Sequence, residues 1–202
     1  MAIRGYSDRI NHALAFAAKH HDQHVRKGTR LPYLTYPANV AVILTRYGRD
    51  ESTVVSGILH DVIEDCVHEN FSRESLEQRI GEKFGMDVLD TALSVTQRRL
   101  DDDGVELSSE DRKADCLARL ANASDDGRWI CAADMVHNGG SILADLRRTD
   151  FPESVWSRFN AGQDATVQWY QRVHDRLGAV GFRAPIMDEL REVASSLAQW
   201  SS

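Results

Sequence analysis

Proline and cysteine are both scarce in this chain of 202 residues, at four and three. With so few prolines, no Ser/Gly-rich linker and no internal repeat at a fixed period, nothing marks a second domain, and the length suits one domain with a substantial core. Cys66, Cys116 and Cys131 are odd in number and lack CxxC spacing, which argues against a disulfide framework or a zinc knuckle and fits reduced thiols. No run approaches the ~18 to 20 apolar residues that span a membrane, and the N-terminal stretch lacks the apolar core of a signal peptide. A soluble, cytoplasmic protein is the expectation. Positive charge is in deficit too: the net charge of -7 argues against a broad footprint for DNA or RNA. A small anionic ligand stays compatible with local basic groups, of which Arg26-Lys27 with Arg30, Arg98-Arg99 and Arg112-Lys113 are candidates. Such pairs are more often solvated surface.

Strand-type alternation is also missing. Apolar positions recur instead at helical spacing in Ile10, Leu14, Ala17 and Ala18, in Val40, Ile43, Leu44 and Tyr47, and in Val54, Val55, Ile58, Leu59, Val62 and Ile63. Further helical runs are predicted over 73–84, 86–95, 110–122, 128–147, 152–177 and 185–200, with Pro152 and Pro185 in first turns and Asp50 or Ser52 capping the third helix. The fold class is therefore all-α, with at most a short hairpin around Gly28 to Tyr33.

The segment Gly57-Ile-Leu-His60-Asp61-Val-Ile-Glu64-Asp65-Cys66 places four polar side chains in an oily helix. At about 100° per residue, Glu64 lies near 40° from His60, Asp61 near 100° and Asp65 near 140°, while Val55, Ile58, Leu59, Val62 and Ile63 fill roughly 160° to 300°. Carboxylates packed this densely repel one another and resist desolvation unless a cation compensates. Composition alone yields His-acid-x-x-acid-acid somewhere in such a chain at roughly 3%, so the motif needs a remote partner. Asp134 and Asn138 supply one, at i and i+4 on a second helix rich in small and apolar residues. His60, Asp61 and Asp134 form a mixed imidazole and carboxylate donor set, suited to Mn²⁺ or another first-row dication rather than to a thiolate zinc site.

These residues resemble the HD-type hydrolase domain of RelA/SpoT homologues, especially the stand-alone small alarmone hydrolases. Ala15-Phe16-Ala17-Ala18, His21, Arg26-Lys27, Pro32-Tyr33, Pro37-Ala38-Asn39-Val40-Ala41, Ile43-Leu44 and Val95-Thr96 follow that family in order, and the likeness covers roughly 10–146 of a single domain spanning 1–202. The closing helices, about 152–200, carry no matching motif. The resemblance implies an all-α, Mn²⁺-dependent enzyme removing the 3′-pyrophosphate from ppGpp or pppGpp. It implies His60, Asp61 and Asp134 as metal ligands and Glu64 and Asp65 as the acidic pair that handles the attacking water. Arg26, Lys27 and Asn138 would contact substrate. One position departs: Leu34-Thr35-Tyr36-Pro37 places Tyr36 where the family has a histidine ligand. A phenol with an ordinary pKa near 10 is a poor neutral-pH ligand unless the metal deprotonates it. Three arrangements are open: His20, His21 or His24 fills the gap, three ligands and water suffice, or the site is vestigial. His20 and His24 read best as hydrated surface, and His21 as support for the site.

Alternative functions are a phosphohydrolase acting on another nucleotide, such as NADPH, and a degenerate HD domain that binds a nucleotide or a partner without turnover. The four tryptophans read as packing residues, Cys66 as a buried filler, and 101–106 as a solvated acidic loop.

Overall fold

The computed structural model describes residues 5–67, 72–101 and 103–201; Asp102 of the acidic loop lies outside them. Among these residues the chain forms ten α-helices: α1 (Asp8–His20), α2 (Thr35–Arg46), α3 (Glu51–Asp65), α4 (Arg73–Phe84), α5 (Met86–Val95), α6 (Ser109–Arg119), α7 (Asp125–Arg147), α8 (Glu153–Trp156), α9 (Gly162–Ala179) and α10 (Ile186–Ala198). A 3₁₀ turn (Gln199–Ser201) follows. The all-α expectation holds. The expected hairpin is reduced to a single antiparallel bridge between Val25 and Pro32, turned by Gly28 and by Arg30 at φ 56°. No helix among the described residues is long and apolar enough to cross a membrane.

Helix starts follow local chemistry. Ser7, Asp50, Ser72, Ser108 and Ser124 each sit before a helix and accept a hydrogen bond from an N–H of its first turn, satisfying donors that have no intrahelical partner. Of the two caps considered for α3, Asp50 takes the role, with its Oδ1 2.8 Å from the Thr53 amide. The helix expected over 152–177 is broken. The short α8 ends at Trp156, and α9 begins only at Gly162, whose φ of 77° is the left-handed conformation that redirects the chain. Helical spacing alone does not reveal that break, because apolar residues continue on both sides of it.

Helix α3 is the hub, packed against α1, α2, α4, α5 and α7. Residues 53–63 are buried all round, so the His60 and Asp61 half of the polar arc is covered by protein, while Glu64 and Asp65 are half-buried. Burying Val55, Ile58 and Leu59 stabilises the fold by about 1.5–3 kcal/mol each. Gly57 permits the close approach of α2: a Cβ there would lie 2.7 Å from Leu44 Cδ1. The closing helix α10 packs on α7 and α9, and a Cβ on Gly139 would meet Val193 Cγ1 at 2.3 Å and Tyr170 Cε1 at 2.8 Å.

Candidate metal and nucleotide site

Helices α2, α3 and α7 converge on a cavity of about 240 Å³ lined by Tyr36, His60, Asp61, Glu64, Asp134 and Asn138, among others. Each side chain is aimed by a local cause. His60 Nδ1 is 2.9 Å from the Gly57 carbonyl. That carbonyl can only accept, so Nδ1 carries a proton and Nε2 is the ring nitrogen that faces the cavity, beside the Tyr36 hydroxyl. The His60 carbonyl in turn accepts from Thr96 Oγ1 at 3.2 Å, and Arg119 Nη1 anchors the Thr96 carbonyl at 2.7 Å. Asp61 is buried, and its Oδ2 has no hydrogen-bond partner. A buried oxygen left in that state costs stability unless something cationic meets it.

The electrostatics agree. Burial, reinforced by the Asp65 charge, holds the Asp61 carboxyl well above its usual range. Burial and the Asp61 charge push Glu64 up to about 7, although its Oε2 accepts the Gln97 N–H at 2.9 Å. Asp134 is raised by burial. Three carboxyls made reluctant to ionise, together with the Nε2 edge of His60, are a donor set that suits a hard dication.

Tyr36 lies in the middle of this arrangement. Its hydroxyl donates a short hydrogen bond to Asp134 Oδ1 and stands 3.5 Å from His60 Nε2. Asn138 Nδ2 donates to the same Oδ1 at 2.7 Å. Burial and the Asp134 charge push the Tyr36 phenol further above its ordinary value, so it is a neutral donor here. His60, Asp61 and Asp134 share the cavity, yet their ligand atoms are not drawn within 4.8 Å of one another; among the described residues, His21, His24 and Cys66 meet that spacing.

The histidines considered as substitutes are engaged elsewhere. His20 lies over Phe16 at 4.5 Å, whereas His21 and His24 lie against Tyr33. His21 is buried, whereas His20 and His24, expected as hydrated surface, are half-buried. The ring stacked on Tyr36, at 5.4 Å, is His137, whose place beside the site no motif marks. Burial and Arg26 lower its pKa to about 4.

The two acidic residues that close the motif are placed differently. Glu64 lines the cavity. Asp65 sits beside it, its Oδ1 3.0 Å from Arg99 Nη2 and its Oδ2 accepting from the Tyr33 hydroxyl at 2.7 Å.

A second, larger cavity of about 920 Å³ adjoins the first, sharing Arg26, Tyr33, Asp134, Met135, Asn138 and Trp169 with it. Five basic side chains line it (Arg26, Lys27, Lys113, Arg148 and Arg158), against the acidic Asp134 and Asp145. Arg26 lies 4.7 Å over the Tyr36 ring and donates to Asn138 Oδ1 at 2.8 Å, while Lys27 donates to Asn160 Oδ1 at 3.2 Å. In a chain of net charge -7 this is a local reversal of sign, sized for a drug-sized or nucleotide-sized anion. Arg30, Arg98, Arg99 and Arg112 are absent from its lining. Trp129 and Trp156 are packing residues as expected, but Trp169 faces both cavities, with Lys113 Nζ 5.7 Å from its ring.

This fold and this clustering of His, Asp and Glu belong to a described class. The HD domain family matches residues 13–138, and the chain belongs to that family. It is 32% identical over 151 residues to the Xenopus tropicalis guanosine-3′,5′-bis(diphosphate) 3′-pyrophosphohydrolase MESH1, covering 73% of this chain and 74% of that protein. A Myxococcus xanthus GTP pyrophosphokinase is 34% identical over 134 residues, covering 65% of this chain; the chain spans only 17% of that relative's length. The solved structure of a metazoan ortholog of SpoT that hydrolyzes ppGpp superposes with a TM-score of 0.72 at 24% identity, over 96% of this chain and 98% of the other, and establishes the shared fold.

Proposed function

We propose that the chain hydrolyses the 3′-pyrophosphate of guanosine alarmones, converting ppGpp and pppGpp to GDP and GTP with release of pyrophosphate. The activity would depend on a divalent cation, Mn²⁺ being the expected ion, and residues 1–202 would act as one cytoplasmic HD-type domain. The observation that carries this reading is the junction of a small carboxylate-rich cavity with a large basic one, across Arg26, Asp134 and Asn138. A pyrophosphate ester needs a cation and a base at its phosphorus, and positive charge along its length. The activity named for the Xenopus relative, which aligns over most of both chains, supports the choice of substrate.

His60 Nε2, Asp61 Oδ2 and Asp134 would hold the cation. Tyr36 and Asn138 both bond Asp134 through Oδ1, which leaves Oδ2 for the ion and makes Tyr36 a support in place of a ligand. The bound cation would acidify water and screen phosphoryl charge. Glu64 is the group placed to take the proton from the attacking water: it lines the cavity, and burial makes it a stronger base than an ordinary carboxylate. Asp65, tied to Tyr33 and Arg99, would act with it by fixing that wall and its charge. Arg26 would fork onto phosphate oxygens or stack on the base, Lys27 would meet phosphate as a point charge, and Asn138 would orient both Arg26 and Asp134.

A binding protein without turnover is the second reading, favoured by the Tyr36 hydroxyl standing between His60 and Asp134. A panel of ppGpp, pppGpp and NADPH, each with Mn²⁺-loaded protein, separates the readings. Pyrophosphate from the alarmones supports the proposal; inorganic phosphate from NADPH alone, or binding of ppGpp without products, refutes it.

A further inference from the structure

A second cluster of donor atoms lies outside the cavity that holds His60, Asp61 and Asp134. His21 caps the end of α1, Cys66 caps the end of α3, and His24 lies in the loop between α1 and α2. Cys66 Sγ is 3.4 Å from His21 Nδ1, which is itself 3.0 Å from His24 Nδ1, and one donor atom from each residue lies within 4.8 Å of the others. His21 and Cys66 are 3% and 1% exposed, and His24 is partly exposed. Tyr33 stacks on the His21 ring at 4.6 Å and meets His24 edge-on at 6.0 Å, so the imidazoles are held from one side.

We propose that His21, His24 and Cys66 bind one thiophilic dication of the Zn²⁺ type, separately from the carboxylate-rich cavity. Tetrahedral coordination with Zn–N near 2.0–2.1 Å and Zn–S near 2.3 Å places two nitrogens about 3.3 Å apart and a nitrogen and sulfur about 3.6 Å apart. The observed 3.0 and 3.4 Å fall a few tenths short of those values, a gap that small side-chain rotations close. Donor chemistry separates the two sites: thiolate with imidazoles selects zinc-like ions, whereas imidazole with carboxylates suits Mn²⁺. Three protein donors leave a fourth position for water on the side where His24 is exposed. Binding replaces the Cys66 S–H bond with a sulfur–metal bond and releases that proton to solvent.

The competing arrangement is a hydrogen-bonded cluster with no ion, in which the Cys66 thiol donates to the His20 carbonyl at 3.5 Å. An ion would instead tie the ends of α1 and α3 to the loop leading to Arg26 and Lys27. Tyr33, stacked on His21, would connect that tie to Asp65.

Full-length protein, stripped with chelator and kept reduced, would be titrated with Co²⁺ as a spectroscopic stand-in for Zn²⁺. One equivalent should raise a sulfur-to-cobalt charge-transfer band in the near ultraviolet that Zn²⁺ bleaches; because Cys116 and Cys131 line the carboxylate-rich cavity, the Cys66 and His24 variants assign the band to this cluster. Cys66→Ser should abolish the band and His24→Gln should weaken Co²⁺ affinity at least tenfold, while both leave Mn²⁺ binding, read by electron paramagnetic resonance, at the wild-type level. His24→Gln alters a partly exposed loop residue, so it decides the matter if Cys66→Ser fails to fold. No charge-transfer band at saturating Co²⁺, or a band that His24→Gln leaves unchanged, overturns the proposal. Neither result bears on Mn²⁺-dependent hydrolysis.

Discussion

Tyr36→Phe removes one oxygen from the centre of the site and nothing else. The ring contacts stay: Arg26 over its face at 4.7 Å, His137 stacked at 5.4 Å and Tyr33 edge-on at 5.8 Å. What disappears is the hydroxyl's bond to Asp134 Oδ1, leaving that carboxylate oriented by Asn138 alone. A hydrogen bond to a charged group contributes about 1.5–3 kcal/mol, which sets the expected loss of metal-free stability in urea unfolding. Loss of a partner that orients a ligating carboxylate costs about 10- to 100-fold in metal affinity, or about 1.4–2.8 kcal/mol. The assay is equilibrium titration with Mn²⁺, following the resonance of the free ion. If Tyr36→Phe binds Mn²⁺ as tightly as wild type or more tightly, the phenol competes with the cation for Asp134 and the supporting role is wrong. Tyr36→His, which adds an imidazole lone pair at the same place, is expected to tighten Mn²⁺ binding.

Three further outcomes are expected. Glu64→Gln should lower turnover by about 10²- to 10⁴-fold, the range for losing a general base, with Mn²⁺ affinity within a few-fold of wild type in the same titration; undiminished turnover would remove Glu64 from the mechanism. Glu64 is raised from its ordinary value to about 7 in the fold, so the folded state holds its proton more tightly than the unfolded chain does. Its favourable contribution is complete below the unfolded pKa of about 4.5 and is lost as pH rises through 7, on the order of 3 kcal/mol. Urea unfolding of metal-free protein should therefore show falling stability across that window, and saturating Mn²⁺ should flatten the slope. Gly139→Ala should destabilise by about 1–3 kcal/mol, because its Cβ would press on Val193 and Tyr170 from α10 and α9; an unchanged melting temperature would mean that those helices are free to shift.

What the sequence made readable was whatever depended on short-range spacing. The bounds of α4 and α5 matched their apolar periodicity to the residue, and the polar arc of α3 came from counting 100° steps. The pairing of that arc with Asp134 and Asn138 was legible because an acid on an apolar helix calls for a partner. The roles of Tyr33, His137 and Trp169 were not. Each depends on which rings meet across helices far apart in the chain, and nothing in the spacing of aromatic residues distinguishes a packing ring from a cavity wall. Cys66 illustrates the same limit: beside its neighbours in sequence it reads as a small buried filler, and only the return of the chain end of α1 places two imidazoles against it. The break before α9 was missed because a glycine at positive φ and a glycine inside a helix look alike in sequence.

The measurement that bears most directly on the central claim is a product analysis of ppGpp incubated with stripped protein, with and without Mn²⁺, resolved by anion-exchange chromatography. The account predicts GDP and pyrophosphate in equal amounts with Mn²⁺ and neither without it. Intact ppGpp in the presence of protein that demonstrably holds Mn²⁺ would contradict it.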